Sequence, residues 1–425
     1  MSRATLRPSG PLRGVCTVSG DKSITQRLIL LGALARGSTR IVGGNEGADA
    51  RAALGIVKAL GVTVRSQGNA RIVQGGALRE SDRVLDAKNS GTALRLSMGL
   101  LAAQPFFSVL TGDASLRRRP LHRVIEPLRA LGADLAARDQ DRLAPVAIRG
   151  QRLRGASVRT PVASAQVKSA LLLAAIQAHG DSSIEEPGPT RDHTERLLPR
   201  FGAPVTAENG RILVRGPASL EGIEARVPGD FSAAAFLWAA AAIVPRSDVT
   251  VRAVGVNPTR RAFLDLLARA GAQVEEIDPR DESGEPVADV RVRAGALAPI
   301  RIDAEDARGM IDELPLAAVL AAFAKGESVI RGAEELRVKE SDRIATVAAG
   351  LRAIGVECEE RPDGWLIQGT GAPRGGSVVS EGDHRIAMAF LVAGLRAKDG
   401  VRVEGVEAAA VSDPGFLPRL KGLLR

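Results

Sequence analysis

The chain has 425 residues, with 58 Lys and Arg against 49 Asp and Glu, a formal net charge of +9. That length suits two or three domains at about 150 residues each, and 45% apolar with 25% charged residues excludes a disordered chain. Aromatic residues are only 3% and Tyr is absent, so the cores must be built from Ala, Leu, Val and Ile, and a nucleic-acid binder that stacks bases on rings is not expected.

In chain order, a polar or glycine start followed by an Ala/Leu-rich helix appears at Gly20 (GDKSITQR), Asn89 (NSGTALRL), Ala163 (ASAQVKSA), Gly229 (GDFSAAAF), Ile311 (IDELPLAA) and Gly382 (GDHRIAMA). Between these lies a second helix that ends in small-Gly-apolar and an alternating strand. It reads IVKALGVTV around Gly61, PLRALGADL around Gly132, LLPRFGAPV around Gly202, LLARAGAQV around Gly271 and GLRAIGVEC around Gly355. The period is about seventy residues, stretched once by the acidic loop 278–286. Short strands such as ARIVQGG, RILVRG, VTVRAV and GWLIQG alternate with the helices, which favours an α/β fold over a helical solenoid. Six copies suit two domains of three. The first helix set lacks a polar face and is predicted to be interior; the second is Arg-rich and is predicted to face water.

The interior helices begin with Asp, Ser, Thr, Asn or Gly, as capped helices do. A helix start also presents unpaired N–H groups and about half a positive charge, which attract anions. GDKSITQR adds Lys22, Ser23 and Arg27, groups suited to phosphate or carboxylate; the alternative is a capped helix with solvated bases. It is not a Walker loop, because Asp21 separates Gly20 from Lys22. NSGTALR allows close backbone approach to a ligand. Arg117, Arg118 and Arg119 enter a helix whose dipole disfavours them, which points to an anion as much as to a solvated face. SAQVK offers a hydroxyl and an amide, and RDHTE a capping Thr and an Arg. In IDELP, Asp312 and Glu313 are ordinary helix-start carboxylates. The run LRVKESDR reads by default as a solvated charged helix. GDHRIAM places Asp383, His384 and Arg385 before an apolar helix. Together these describe a cationic cleft for a small polyanion, with Asp312 and Glu340 available for proton transfer.

Cys16 and Cys358 exclude a disulfide framework and a CxxC metal site, and His122, His179, His193 and His384 are too scattered for a zinc enzyme. The segment MSRATLRPSGPLRG has no apolar core, so no signal peptide is expected. The apolar run 233–244 is short against about 30 Å of hydrocarbon. A cytoplasmic protein without a membrane or nucleic-acid partner is expected.

In order along nearly the whole chain, GDKS, NSGTALR, RRRP, SAQVK, RDHTE, NPTR, Asp312, LRVKESDR and DHR resemble the 3-phosphoshikimate 1-carboxyvinyltransferase (EPSP synthase) family. GDKS, SAQVK, RDHTE and NPTR are similar to its second, glyphosate-insensitive class. The resemblance implies an inside-out α/β barrel of two domains, each of three βαβαββ units, with interior helices aimed at an interdomain cleft. Residues 1–19 with 229–425 would form a discontinuous domain and 20–228 the inserted one, the chain crossing near 15–19 and 225–228.

The implied reaction transfers the enolpyruvyl group of phosphoenolpyruvate to the 5-hydroxyl of shikimate 3-phosphate, a step toward chorismate and the aromatic amino acids, with no metal or organic cofactor. By the same resemblance, shikimate 3-phosphate is held by Lys22, Ser23 and Arg27, by Ser164, Ala165, Gln166 and Arg191, and by Asp312 and Lys339. The phosphoenolpyruvate ligands would be Lys22, Gly91, Arg119, Gln166, Arg343 and Arg385. Asp312 would serve as base and Glu340 as acid, with Lys22 assisting. In an empty cleft Lys22, Arg119, Arg343 and Arg385 would repel one another until a phosphorylated substrate neutralised them, and a monomer is expected. Two positions depart from the pattern: Glu335 stands where some members have Asn, and Val411 where some have Lys. The rival readings are the sister transferase acting on a UDP-amino sugar and a basic RNA-processing protein of similar architecture. The first commonly carries a loop cysteine that GDASLRRRP lacks, and the second is disfavoured by the poverty of aromatics.

Overall fold

The computed structural model describes residues 2–208 and 210–424. The backbone forms two compact units. Unit 1 is drawn from Met1–Ser19, Pro228–Arg280 and Pro286–Arg425, and unit 2 from Gly20–Val227 with the short segment Asp281–Glu285.

Unit 2 contains three four-stranded sheets. In one, Leu85–Asp86 and Phe107–Thr111 run parallel, joined through helix Gly91–Leu101, and Asp134–Ala137 with Leu143–Arg149 adds an antiparallel hairpin. Strands Ser157–Arg159, Gly180–Glu185, Val205–Glu208 and Arg211–Gly216 repeat the order around helix Ala165–Ala175. In the third, Glu224–Arg226 returns to pair parallel with Gly37–Val42 and supplies the strand that the first repeat lacks.

Unit 1 repeats the pattern. Arg301–Ile302, Lys325–Ile330, Glu357–Arg361 and Gly364–Thr370 surround helix Leu314–Ala322. Arg13–Cys16 pairs parallel with Asp248–Gly255, although all of Gly20–Val227 lies between them in sequence. The remaining sheet has three strands: Arg3–Leu6 lies antiparallel to Val401–Glu404, which is parallel to Gly376–Val379.

The Ala/Leu-rich helices are interior. All 13 residues of Phe231–Ile243 are buried, because FSAAAFLWAAAAI offers water no polar face. Helices Gly91–Leu101 and Ala165–Ala175 approach until a Cβ on Gly99 would overlap the Ala170 carbonyl oxygen. The small-Gly-apolar signal is a helix terminator. Gly61 takes φ +87°, its N–H reaching the Lys58 carbonyl at 3.1 Å while the Val62 N–H reaches Val57 at 3.0 Å. This left-handed C-terminal motif satisfies carbonyls that the helix end would otherwise orphan. It recurs at Gly132, Gly202, Gly271 and Gly355 with φ between +83° and +101°. No described helix is long and apolar enough to cross a membrane.

Candidate active site

Two groups of polar side chains gather at interior-helix starts, one in each unit. In unit 2, Asp21 caps helix Lys22–Leu34 by accepting the Ile24 N–H at 2.8 Å. Lys22 Nζ donates to Asp49 Oδ2 at 2.9 Å, in the first turn of helix Ala48–Ala59. Arg27 is buried and donates from Nε to Thr194 Oγ1 at 2.7 Å, from Nη2 to Ser169 Oγ at 2.8 Å and from Nη1 to the Ser23 carbonyl at 2.9 Å. Burial pulls its pKa down to about 10, with neighbouring Arg191 adding to the effect and Glu195 and Asp21 opposing it. Arg27 thus stays charged at neutral pH, but three of its five N–H groups are committed to protein. Behind it, Lys168 Nζ is buried and lies 2.7 Å from both Glu186 and Glu195, whose side chains are 9% exposed.

Ser164 precedes helix Ala165–Ala175 without making a cap bond. Gln166 is fixed at both ends: Oε1 accepts from Arg95 Nη1 at 2.9 Å and Nε2 donates to Thr92 Oγ1 at 3.0 Å. Arg95 also donates to the Pro120 carbonyl at 3.1 Å. Gly91, Arg119 and Gln166 converge here. A Cβ on Gly91 would lie 2.5 Å from Arg95 Nη1, 3.5 Å from Arg119 Nη1 and 3.6 Å from Gln166 Oε1. Arg119 follows the 3₁₀ turn Leu116–Arg118 and donates to Asn89 Oδ1 at 2.7 Å. Arg117 and Arg118 are exposed, and the next helix starts only at His122. The arginine run therefore does not enter a helix, as the sequence suggested; a tight turn directs one of the three inward.

In unit 1, LRVKESDR is not a solvated helix. It forms the 3₁₀ turn Glu334–Val338 and then, capped by Asp342, the start of helix Arg343–Ala353. The Arg343 side chain is 1% exposed because three carboxylates take its charge: Asp383 at 2.7 Å, Glu340 at 2.7 Å and Asp312 at 3.8 Å. Burial disfavours the cation, but Asp383 and Glu340 overcome that and raise its pKa. Arg385 Nη2 lies 3.6 Å from Asp312 and Nη1 3.3 Å from Glu313. Lys339 Nζ lies 3.4 Å from Glu335; desolvation lowers its pKa although Glu335 and Asp312 pull upward.

Lys22, Arg343 and Arg385 each have a carboxylate partner within their own unit, whereas Arg119 is held by the neutral amide of Asn89. Not all the interior starts await an anion: Asp21, Asp230 and Asp383 already accept first-turn N–H groups. Sequence reasoning assigned no role to Asp49, Arg95 or Arg260, and read Glu313 only as a helix-start carboxylate. Arg95 had a signal, four residues after Gly91 and so on one helix face; the others become visible only through tertiary contacts. A groove of about 700 Å³ in unit 1, lined by Arg13, Asp248 and Arg291 among others, contains none of the candidate residues.

The family model described as EPSP synthase (3-phosphoshikimate 1-carboxyvinyltransferase) matches residues 6–420. A 3-phosphoshikimate 1-carboxyvinyltransferase of Desulforudis audaxviator is 49% identical over 422 residues, 98% of each chain. That of Geobacter sulfurreducens is 49% identical over 412 residues, 96% of each. A solved EPSP synthase from Acinetobacter baumannii aligns with a TM-score of 0.87 at 41% identity, over 99% of this chain and 97% of the other. The enolpyruvyl transferase NikO from Streptomyces tendae, at 18% identity and a TM-score of 0.79 over 99% and 97%, shares the fold.

Proposed function

The chain belongs to the EPSP synthase family, and from that premise we propose how its residues divide the reaction. The protein is a 3-phosphoshikimate 1-carboxyvinyltransferase: it transfers the enolpyruvyl group of phosphoenolpyruvate to the 5-hydroxyl of shikimate 3-phosphate and releases phosphate, in the shikimate pathway.

Shikimate 3-phosphate binds to Lys22, Ser23 and the open edge of Arg27, to Ser164, Ala165 and Gln166 at a helix start, and to Arg191 and Lys339. The uncapped start at Ser164 and the adjoining Arg27 and Arg191 charges support this. Phosphoenolpyruvate binds to Lys22, Gly91, Arg119, Gln166, Arg343 and Arg385. The convergence of Gly91, Arg119 and Gln166 on Arg95 supports the unit 2 part of that set.

Asp312 takes the proton of the 5-hydroxyl as that oxygen attacks the enol carbon, while Glu340 delivers a proton to the methylene, assisted by Lys22. In the second half the flow reverses: the methyl loses a proton and phosphate leaves, its developing charge met by the surrounding cations. The observation that carries this reading is the shared guanidinium of Arg343. It holds Glu340 and Asp312 together while both carboxylates keep about a fifth of their surface open, 21% and 20%. Asp383, 0% exposed, fixes the same guanidinium from behind. Two carboxylates on one immobilised cation are preorganised for paired proton transfer.

A cytoplasmic monomer that needs neither metal nor nucleic acid completes the reading. The test is phosphate release in the presence of either substrate, both, or phosphoenolpyruvate with a UDP-amino sugar. Release should require both phosphoenolpyruvate and shikimate 3-phosphate; turnover with the amino sugar would overturn it.

A further inference from the structure

Glu313 is a buried carboxylate with no task in the reaction above. Its side chain is 1% exposed. It stands at the N-cap of helix Leu314–Ala322 but makes no cap bond, so helix capping does not explain it. Oε1 instead accepts the Ser232 hydroxyl and lies 3.3 Å from Arg385 Nη1 and 3.6 Å from Arg260 Nη2. Ser232 Oγ also receives Arg260 Nη2 at 2.7 Å, and the Arg260 guanidinium lies over the Phe231 ring at 5.7 Å. Arg385 is thereby held at two edges, Nη1 by Glu313 and Nη2 by Asp312.

We propose that Glu313 is a positioning residue for phosphoenolpyruvate, acting through Arg385, with Ser232 and Arg260 fixing Glu313 in turn. The inference rests on Arg385 being a phosphoenolpyruvate ligand. An arginine fork held in place loses less freedom when it binds an anion. Glu313 also sets the direction in which the fork turns. Without its charge, the nearest carboxylate to Arg385 is Asp312, at 3.6 Å. A tighter Arg385–Asp312 pair would compete with the substrate for the guanidinium, so affinity for phosphoenolpyruvate falls while shikimate 3-phosphate is little affected.

The test is steady-state kinetics of the wild type, Glu313→Gln, Arg385→Met and the double variant, varying each substrate in turn. Arg385→Met alone should raise KM for phosphoenolpyruvate; if it does not, the ligand reading fails, whatever Glu313 does. Glu313→Gln should raise that KM about tenfold and leave KM for shikimate 3-phosphate within about twofold. Its effect should vanish when Arg385 is already Met. An unchanged KM for phosphoenolpyruvate, equal rises in both KM values, or additive effects in the double variant would overturn the inference. Should Glu313→Gln fail to fold, Ser232→Ala removes one anchor of Glu313 without touching a charge. It should raise KM for phosphoenolpyruvate about threefold, and no change would equally overturn the inference.

Discussion

Arg343 donates from Nε to Asp383 Oδ2 at 2.7 Å, and neither side chain is more than 1% exposed. Burial opposes ionisation of Asp383, but the Arg343 charge and hydrogen bond overcome it and hold the carboxyl below its ordinary 3.8. The unfolded chain therefore binds the proton more readily than the native one. The stabilisation is complete above the unfolded value and is lost as pH falls from there through the lower native value. Asp383→Asn should cost about 3–5 kcal/mol at neutral pH, the scale for breaking a buried pair. Urea denaturation from pH 7 down to pH 3 should also show a flatter loss of stability than in the wild type. An equal slope in both proteins would mean that Asp383 does not carry this dependence.

Glu195 should behave with the opposite sign. Burial raises its carboxyl above the ordinary 4.5 despite Lys168 at 2.7 Å. A raised native pKa gives stability that is present below the unfolded value and is lost as pH rises through the native one. Replacing Glu195 by Gln removes that loss and still leaves Lys168 paired with Glu186. The urea midpoint of Glu195→Gln relative to wild type should therefore improve between pH 4.5 and pH 7.5. A relative midpoint that worsens over that interval would show that Lys168 more than offsets the burial of Glu195.

Asp312 presents a different balance. Its carboxylate is 20% exposed, and its ion-pair contacts with Arg385 and Arg343 are long, at 3.6 and 3.8 Å. Asp312→Ala should leave thermal stability within about 1 kcal/mol, the scale of a weak partly exposed pair. Turnover should fall by roughly two to four orders of magnitude, the range for a positioned proton carrier. Near wild-type turnover in a folded variant would reduce Asp312 to a helix-start carboxylate.

The repeat and its alternation of interior and outer helices were legible in the sequence because each rests on local chemistry. A helix without a polar face must be buried, and a glycine between a helix and an alternating strand marks a left-handed terminus, as at Gly61 and Gly355. The depth of Arg343 was not legible. LRVKESDR has the composition of a solvated run, and only the approach of Asp383, forty residues later in the chain, makes burial of that cation favourable. Glu313 was misread for the same reason. A carboxylate at a helix start normally serves the dipole, whereas here it serves Arg385 and Arg260, which lie 72 residues after it in the chain and on helix-flanking NPTR before it. Motif reading locates the residues but does not reveal which cations are already neutralised.

Glyphosate is a phosphonate that resembles phosphoenolpyruvate in charge but is longer. The GDKS, SAQVK, RDHTE and NPTR motifs associate the chain with an insensitive class, yet Gly91 carries no methyl with which to shorten a pocket. The space such a methyl would enter is already occupied. Arg95 Nη1 lies 2.5 Å from the Cβ position and donates to Gln166 Oε1 at 2.9 Å, while Nη2 donates to the Pro120 carbonyl at 3.1 Å. A guanidinium held across the glycine can restrict length as a methyl would, so the wild-type inhibition constant for glyphosate should be no lower than KM for phosphoenolpyruvate. Gly91→Ala should push Arg95 off Gln166, because the clash is with the far end of a flexible side chain rather than with backbone. Discrimination against the longer inhibitor should then increase by about 10- to 200-fold, the usual scale for a small steric difference in a pocket, with a smaller rise in KM for phosphoenolpyruvate. Both constants are to be measured at saturating shikimate 3-phosphate. A wild-type inhibition constant well below that KM would mean that Arg95 yields to the inhibitor and that the class motifs do not govern the length of the pocket.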